Sequence, residues 1–159
     1  DHAVVGSNIA YEFLRELGWD KNKAGHVKDC ILTHRYRADS PPKSLEAKIV
    51  FDADTLDISG AIGIARTLQF GGIINEPLYL VDINGNVLDG CRQKGVSFFD
   101  IVNNKLLKLE SKLYTNRAKE ICKDRRKICL QFYESMFKEI NDLHNRGIEL
   151  LRDYFDKNR

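Results

Sequence analysis

The sequence predicts an all-α protein with one short β-hairpin. Apolar residues recur at helical spacing through most of the chain, and only three of the 159 residues are proline. Alternation typical of strands is confined to one stretch around Asn84-Gly85. With 43% apolar residues, a chain of this length can bury a core, so we expect one helical domain over residues 1–159.

Helices are predicted over residues 2–17 and 22–36. The first carries an apolar stripe, and Gly18 follows it where a C-terminal cap is expected. In the second, one face carries Val27, Cys30, Ile31 and His34.

A third helical segment is predicted over residues 43–69, with a break near Asp54. The "SPPK" stretch interrupts the chain before it, and Ser44 is a suitable N-cap. Gly60 and Gly63 would each destabilise an exposed helix by about 1 kcal/mol relative to alanine. We therefore expect another backbone to pack closely against them.

The stretch "LYLVDINGNVLDG" predicts a hairpin at residues 78–89. Its Asp82, Asn84 and Asn86 resemble the start of a calcium loop. Val87 and Gln93, however, stand where that loop needs glycine and glutamate, which excludes calcium.

The chain is helical again from Ser97 onward, with a long amphipathic helix predicted over residues 115–143. The basic run 123–127, "KDRRK", falls mainly on its polar side. We interpret this run as a solvated helix face, with a phosphate-binding patch as the alternative.

Composition excludes several classes of protein. No apolar run is long enough to span a membrane, and no leader resembling a signal peptide is present. Four widely spaced cysteines indicate reduced thiols in a cytoplasmic protein. A net charge of +2 gives no argument for nucleic-acid binding.

Two histidines and a group of three aspartates are the candidates for chemistry. His2 and His34 lie at ends of predicted helices, and Asp52, Asp54 and Asp57 interrupt an apolar segment. Imidazole and carboxylate together suit a divalent transition metal, although a single interior histidine is more often a core residue. A buried carboxylate must be paired, hydrogen-bonded or metal-bound.

Three stretches, "DHAVVGS", "HRYRADSPPKSLEAKIVFDADTLDISGAIGIART" and "FFDIVNNKLLKL", resemble the HD-domain phosphohydrolase superfamily, in its small stand-alone bacterial and archaeal branch. The resemblance runs from His2 to about Phe137. It implies an all-helical fold and metal-dependent hydrolysis of phosphate esters, often nucleotides. It also implies that Asp54 is a metal ligand and the catalytic aspartate, with His2 and His34 as further metal ligands.

The remaining residues are given supporting roles. Asp52 and Asp57 cannot both point in the same direction as Asp54 on a helix, so we expect them to act as a cap or to accept hydrogen bonds that hold Arg66 or His34 in place. Substrate phosphate is expected to contact Arg35, Arg37 and Lys48, since guanidinium groups pair with phosphate in bidentate geometry; surface ion pairs are the alternative for each.

The sequence departs from the family pattern at two points. Thr55 stands where relatives carry lysine or arginine. The first histidine and the adjacent His-Asp pair of the family do not occur in these 159 residues. We therefore expect a family member without its N-terminal helices, and proteolysis, a disordered connection and a truncated gene all remain explanations.

The leading hypothesis is a metal-dependent phosphohydrolase acting on a small phosphorylated substrate, with the metal lowering the pKa of a bound water. The alternative is a non-catalytic helical protein that binds a nucleotide or a partner through a decayed site. A His-Asp pair encoded upstream of Asp1 would favour the enzyme. The sequence leaves homo-oligomerisation open.

Overall fold

A computed structural model describes residues 2–35, 40–92 and 97–158. Its α-helices are α1 (His2–Glu16), α2 (Lys21–Leu32), α3 (Leu45–Asp57), α4 (Gly60–Ile73), α5 (Phe98–Asn104) and α6 (Asn116–Lys157), with a 3₁₀ helix at Leu106–Lys112. Within these described residues the single β pairing is the antiparallel bridge Val81–Val87. The all-α prediction is confirmed, and the hairpin consists of this one bridge.

Several predicted ends are confirmed by their caps. Gly18 has a positive φ of 81°, and its N–H donates to the Arg15 carbonyl just past α1. Ser44 Oγ accepts the Ala47 N–H at 3.1 Å and so caps α3. The predicted break falls at residues 58–59, between α3 and α4, where Gly60 has a φ of 67°.

The chain divides into two compact units. The first comprises residues 1–59 and 109–123, and the second comprises residues 60–108 and 124–159. That both form one domain stays a prediction. None of the helices in the described ranges is long and apolar enough to cross a membrane.

In the first unit, α1 packs on α2 and α2 packs on α3. Small side chains fill much of this interior, among them the buried Ala3, Ala24 and Ala47. The ring of Phe51 on α3 meets Tyr114 edge-on, with ring centroids 5.1 Å apart. Such edge contacts add to the burial of the rings themselves.

Aromatic rings hold the second unit together. Phe98 and Phe99 of α5 are buried; the first meets Phe132 of α6, and the second meets Tyr133 and Phe137. The turn of the hairpin is fixed to α6, where His144 Nε2 lies 2.5 Å from the Gly85 carbonyl oxygen.

Gly60 packs closely against α6. A Cβ at Gly60 would lie 3.0 Å from Arg125 Cβ. The Cys129 thiol donates to the Gly60 carbonyl at 3.6 Å. The expected close packing is therefore seen at Gly60, and the atoms that approach it belong to side chains of the long helix.

Candidate functional site

His2 and His34 come together at one end of the α1–α2 pair. Their ring centroids are 5.6 Å apart, with the planes tilted by 55°. A Cβ at Gly6 would lie 4.0 Å from Ile31 Cγ2, so the two helices approach closely beside the histidines. His2 is exposed and His34 is half-buried.

His34 is held in a defined orientation. Its Nδ1 lies 2.5 Å from the Ile31 carbonyl oxygen, to which it donates. In a neutral ring this hydrogen bond requires the proton on Nδ1, so that Nε2 carries the lone pair. A backbone carbonyl on one ring nitrogen is the usual support of a metal-binding histidine.

The three aspartates of α3 have different environments. Asp52 is 2% exposed, whereas Asp54 and Asp57 are exposed. Asp52 is therefore the buried carboxylate of the three, and Asp54, the expected metal ligand, lies at the surface.

Asp52 acts as a long-range cap. Its Oδ1 accepts the Tyr114 N–H at 2.9 Å, and its Oδ2 accepts the Thr115 N–H and the Thr115 hydroxyl, both at 2.7 Å. Thr115 in turn accepts the Ala118 N–H at 3.3 Å at the start of α6. Of the two roles predicted for Asp52, the structure therefore shows the cap.

The predicted ligands do not form a complete metal-binding group. Across residues 2–35, 40–92 and 97–158, no three His, Cys, Asp or Glu side chains are grouped so that they could hold a metal ion. The histidine pair can supply two nitrogen donors, which is half of an ordinary four-ligand site. The assignment of Asp54 as a ligand stays a prediction.

The predicted substrate-binding cations lie in varied surroundings. Lys48 is half-buried, and its Nζ lies 5.9 Å from the centre of the Tyr114 ring. Arg35 is half-buried, and Arg37 lies outside the described residues. Arg66, for which only a supporting role was predicted, is exposed. Thr55, where the resemblance implies lysine or arginine, is 1% exposed and so lies in the interior.

A cavity of about 480 Å³ lies between α2 and the start of α3. It is lined by His26, Asp29, Leu32, Thr33, Ser40, Pro41, Lys43, Ser44 and Ala47. A second cavity of about 430 Å³ is also lined by His26 and Asp29. Neither is lined by the predicted metal ligands.

His26 is exposed, and its neighbours were not predicted from the sequence. Its Nε2 lies 3.3 Å from Glu46 Oε2 and 4.0 Å from Cys30 Sγ. Burial raises the pKa of the Cys30 thiol, which keeps it protonated and unreactive at neutral pH. The four-residue spacing of His26 and Cys30 was the available signal.

Comparisons with known proteins identify the fold. No protein-family model matches the sequence. The uncharacterized protein YpgQ of Bacillus subtilis (strain 168) is 33% identical over 144 residues, which cover 88% of this chain and 64% of YpgQ. A crystal structure of an HD-superfamily hydrolase from Bacillus thuringiensis superposes with a TM-score of 0.65 at 33% identity, over 86% of this chain and 63% of that one.

The chain has the HD-domain superfamily fold. A crystal structure of YpgQ in complex with ADP also matches, with a TM-score of 0.65 and 30% identity, over 84% of this chain and 61% of that chain. This chain therefore spans less than two thirds of the length of each of these relatives.

Proposed function

We propose that the protein containing this chain is a metal-dependent phosphohydrolase that acts in the cytoplasm on a nucleotide or another small phosphorylated metabolite. The observation that carries this proposal is the anchored His34. Its Nδ1 is bonded to the Ile31 carbonyl, and its ring lies beside that of His2. This arrangement suits nitrogen donation to a divalent cation.

The nucleotide part of the proposal is supported by a relative. YpgQ has been crystallised in complex with ADP, and HD-superfamily hydrolases generally use divalent metals. Arg35, Arg37 and Lys48 are the cations that we assign to the phosphate groups.

The proposal requires ligands beyond those in the described residues. His2, His34 and Asp54 provide at most three, while the relatives are about half as long again as the matched segment. We therefore expect the 159-residue chain alone to bind divalent metal weakly and to hydrolyse phosphomonoesters at background rates.

A non-catalytic nucleotide-binding protein is the second candidate. The observation that favours it is the lack of any three-ligand group among the residues that the structure describes. Both candidates bind nucleotide, and they differ in whether metal and hydrolysis accompany binding.

The test measures phosphate release by the complete gene product from a panel of nucleotides and sugar phosphates, with and without Mn²⁺ or Mg²⁺. We expect metal-dependent release that Asp54→Asn and His34→Gln each lower at least about a hundredfold without unfolding the protein. Asp142→Asn, an exposed aspartate on α6, is the control and should keep full activity.

Calorimetric titration with ADP separates the two candidates. Binding that is unchanged by metal, together with no hydrolysis in the whole panel, would refute the enzyme and support the binding protein. Full metal-dependent activity in Asp54→Asn would show that the ligand has been misassigned.

A further inference from the structure

Thr33 ends α2 with two hydrogen bonds to one carbonyl oxygen. Its N–H donates to the Asp29 carbonyl at 3.1 Å, and its hydroxyl donates to the same oxygen at 2.8 Å. The backbone leaves the helical path at Thr33, where φ is −101° and ψ is 7°, whereas a helical ψ is about −42°. Because the hydroxyl is bonded back to the carbonyl four residues earlier, the threonine side chain is held in one rotamer, and the turn of the backbone is held with it.

The turn at Thr33 determines where the next residue lies. The last four carbonyls of an α-helix have no partner within the helix, and in α2 those of Asp29 and Ile31 belong to this group. Thr33 donates to the first. His34 donates to the second, through Nδ1 at 2.5 Å and through its N–H at 3.5 Å. Because ψ of Thr33 sets the direction of the peptide that leads to His34, a change in this turn moves the imidazole away from the Ile31 carbonyl.

The packing of α1 fixes Ile31 from the other side. A Cβ at Gly6 would lie 4.0 Å from Ile31 Cγ2, so the side chain of Ile31 lies beside α1. His2 lies four residues before Gly6, and His34 lies three residues after Ile31, so the two members of each pair share one helix face. The anchor of the His34 ring is therefore held by helix packing at its side chain and by Thr33 at the end of α2.

We propose that Thr33 is a positioning residue for His34. Its hydroxyl holds the end of α2 in the conformation that keeps Nδ1–H on the Ile31 carbonyl and the lone pair on Nε2. Thr33 acts through the backbone of α2 and not on the metal itself. The inference rests on the proposed function in one respect, which is the assignment of His34 as a metal ligand.

Two variants of Thr33 isolate the hydroxyl group. Thr33→Val keeps the branched shape and removes the donor, while Thr33→Ser keeps the donor and removes a methyl group. Thr67→Val is the matched control, because the Thr67 hydroxyl on α4 donates to the Gly63 carbonyl four residues earlier at 2.7 Å, and both threonines are half-buried. The two valine variants lose the same kind of hydrogen bond and should lose similar stability, but only Thr33→Val should affect His34.

The first measurement is the tautomer of His34 in the complete gene product without added metal. Nitrogen NMR of the neutral imidazole rings distinguishes a proton on Nδ1 from one on Nε2, and the His34 signal is identified by its loss in His34→Gln. We expect the Nδ1–H form in the unmodified protein, in Thr33→Ser and in Thr67→Val. Thr33→Val should show a mixture of the two forms. An unchanged Nδ1–H form in Thr33→Val overturns the proposal, as does an equal mixture in Thr67→Val.

The second measurement is the affinity of the same variants for Mn²⁺ by calorimetric titration. Loss of a group that holds a ligating histidine lowers metal affinity by about 10–100-fold, and Thr33 lies one hydrogen bond further from the metal, so we expect Thr33→Val to weaken binding by about three- to tenfold. Thr33→Ser and Thr67→Val should stay within about twofold of the unmodified protein. His34→Gln removes the ligand itself and should weaken binding more than Thr33→Val does.

The two measurements separate this inference from the proposed function. If His34→Gln binds Mn²⁺ as tightly as the unmodified protein, His34 is not a ligand and the proposed function fails, while a tautomer change in Thr33→Val still supports the positioning role. If His34→Gln loses affinity but Thr33→Val keeps both the tautomer and the affinity of the unmodified protein, His34 is a ligand and the positioning role is overturned.

Discussion

Replacing Asp52 tests whether the buried carboxylate holds α6 to α3. In Asp52→Asn the single remaining acceptor oxygen can keep the two Thr115 hydrogen bonds. The new NH₂ group then faces the Tyr114 N–H, which donated to Oδ1 at 2.9 Å. Two donors are thereby opposed in a site that is 2% exposed.

The magnitude follows from the bonds that are lost. A hydrogen bond to a charged group contributes about 1.5–3 kcal/mol, and an unsatisfied buried donor costs about 1–3 kcal/mol. Because these terms overlap, we expect Asp52→Asn to lower the free energy of unfolding by about 2–3 kcal/mol. Asp52→Ala removes all three bonds and should lower it by about 3–5 kcal/mol.

Urea denaturation measures both losses. With a slope of about 2 kcal/mol per M for a chain of this size, Asp52→Asn should lower the midpoint by roughly 1–1.5 M at unchanged slope. Asp54→Asn is the matched control, since its exposed side chain should change stability by no more than about 0.5 kcal/mol. A larger loss in Asp54→Asn than in Asp52→Asn would refute the assignment of the cap.

Three further outcomes are expected from local geometry. Gly90→Ala should lower the free energy of unfolding, measured by calorimetry, by roughly 3 kcal/mol or more, because the φ of Gly90 is 76° and a Cβ would lie 2.4 Å from the Phe99 carbonyl carbon. Gly85→Ala should lower it by only about 1–2 kcal/mol, because the φ of Gly85 is 83° but a Cβ there would meet open space. Hydrogen bonds from Asn86 hold the pKa of Asp82 below its ordinary value of 3.8. The stability that the Asp82 carboxylate gives to the hairpin is therefore complete above pH 3.8 and is lost as the pH falls through the lowered pKa. NMR of the carboxyl group should show the titration midpoint of Asp82 below 3.8, and Asn86→Ala should raise that midpoint. In the native chain one thiol should react with a thiol reagent ahead of the others, because Cys91 is exposed while Cys30, Cys122 and Cys129 are buried. Partial burial and the neighbouring Asp89 raise the pKa of the Cys91 thiol, so its reaction should speed up as the pH rises; two or more equally fast thiols would contradict the burial of the other three.

Local chemistry explains which helix ends could be predicted. Ser44 and Gly18 each form a hydrogen bond with a residue three positions away, so the sequence around them contains the whole interaction. The end of α6 was missed by fourteen residues, since it was predicted at 143 and lies at Lys157. The apolar stripe continues to Phe155, but residues 151–158 are all exposed, so burial against a core does not mark where this helix ends.

The aspartates of α3 show why the site was predicted less well than the fold. Helical periodicity places Asp52 and Asp54 about 200° apart around the axis, so only one of them can face the interior. Periodicity fixes this difference in direction but not which residue faces inward. That choice depends on Tyr114 and Thr115, which lie 62 and 63 residues further along the chain and whose N–H groups need an acceptor at the start of α6. Because Asp52 meets this need, Asp54 stays exposed on the opposite side of α3, where its carboxylate is available to a ligand rather than to the core.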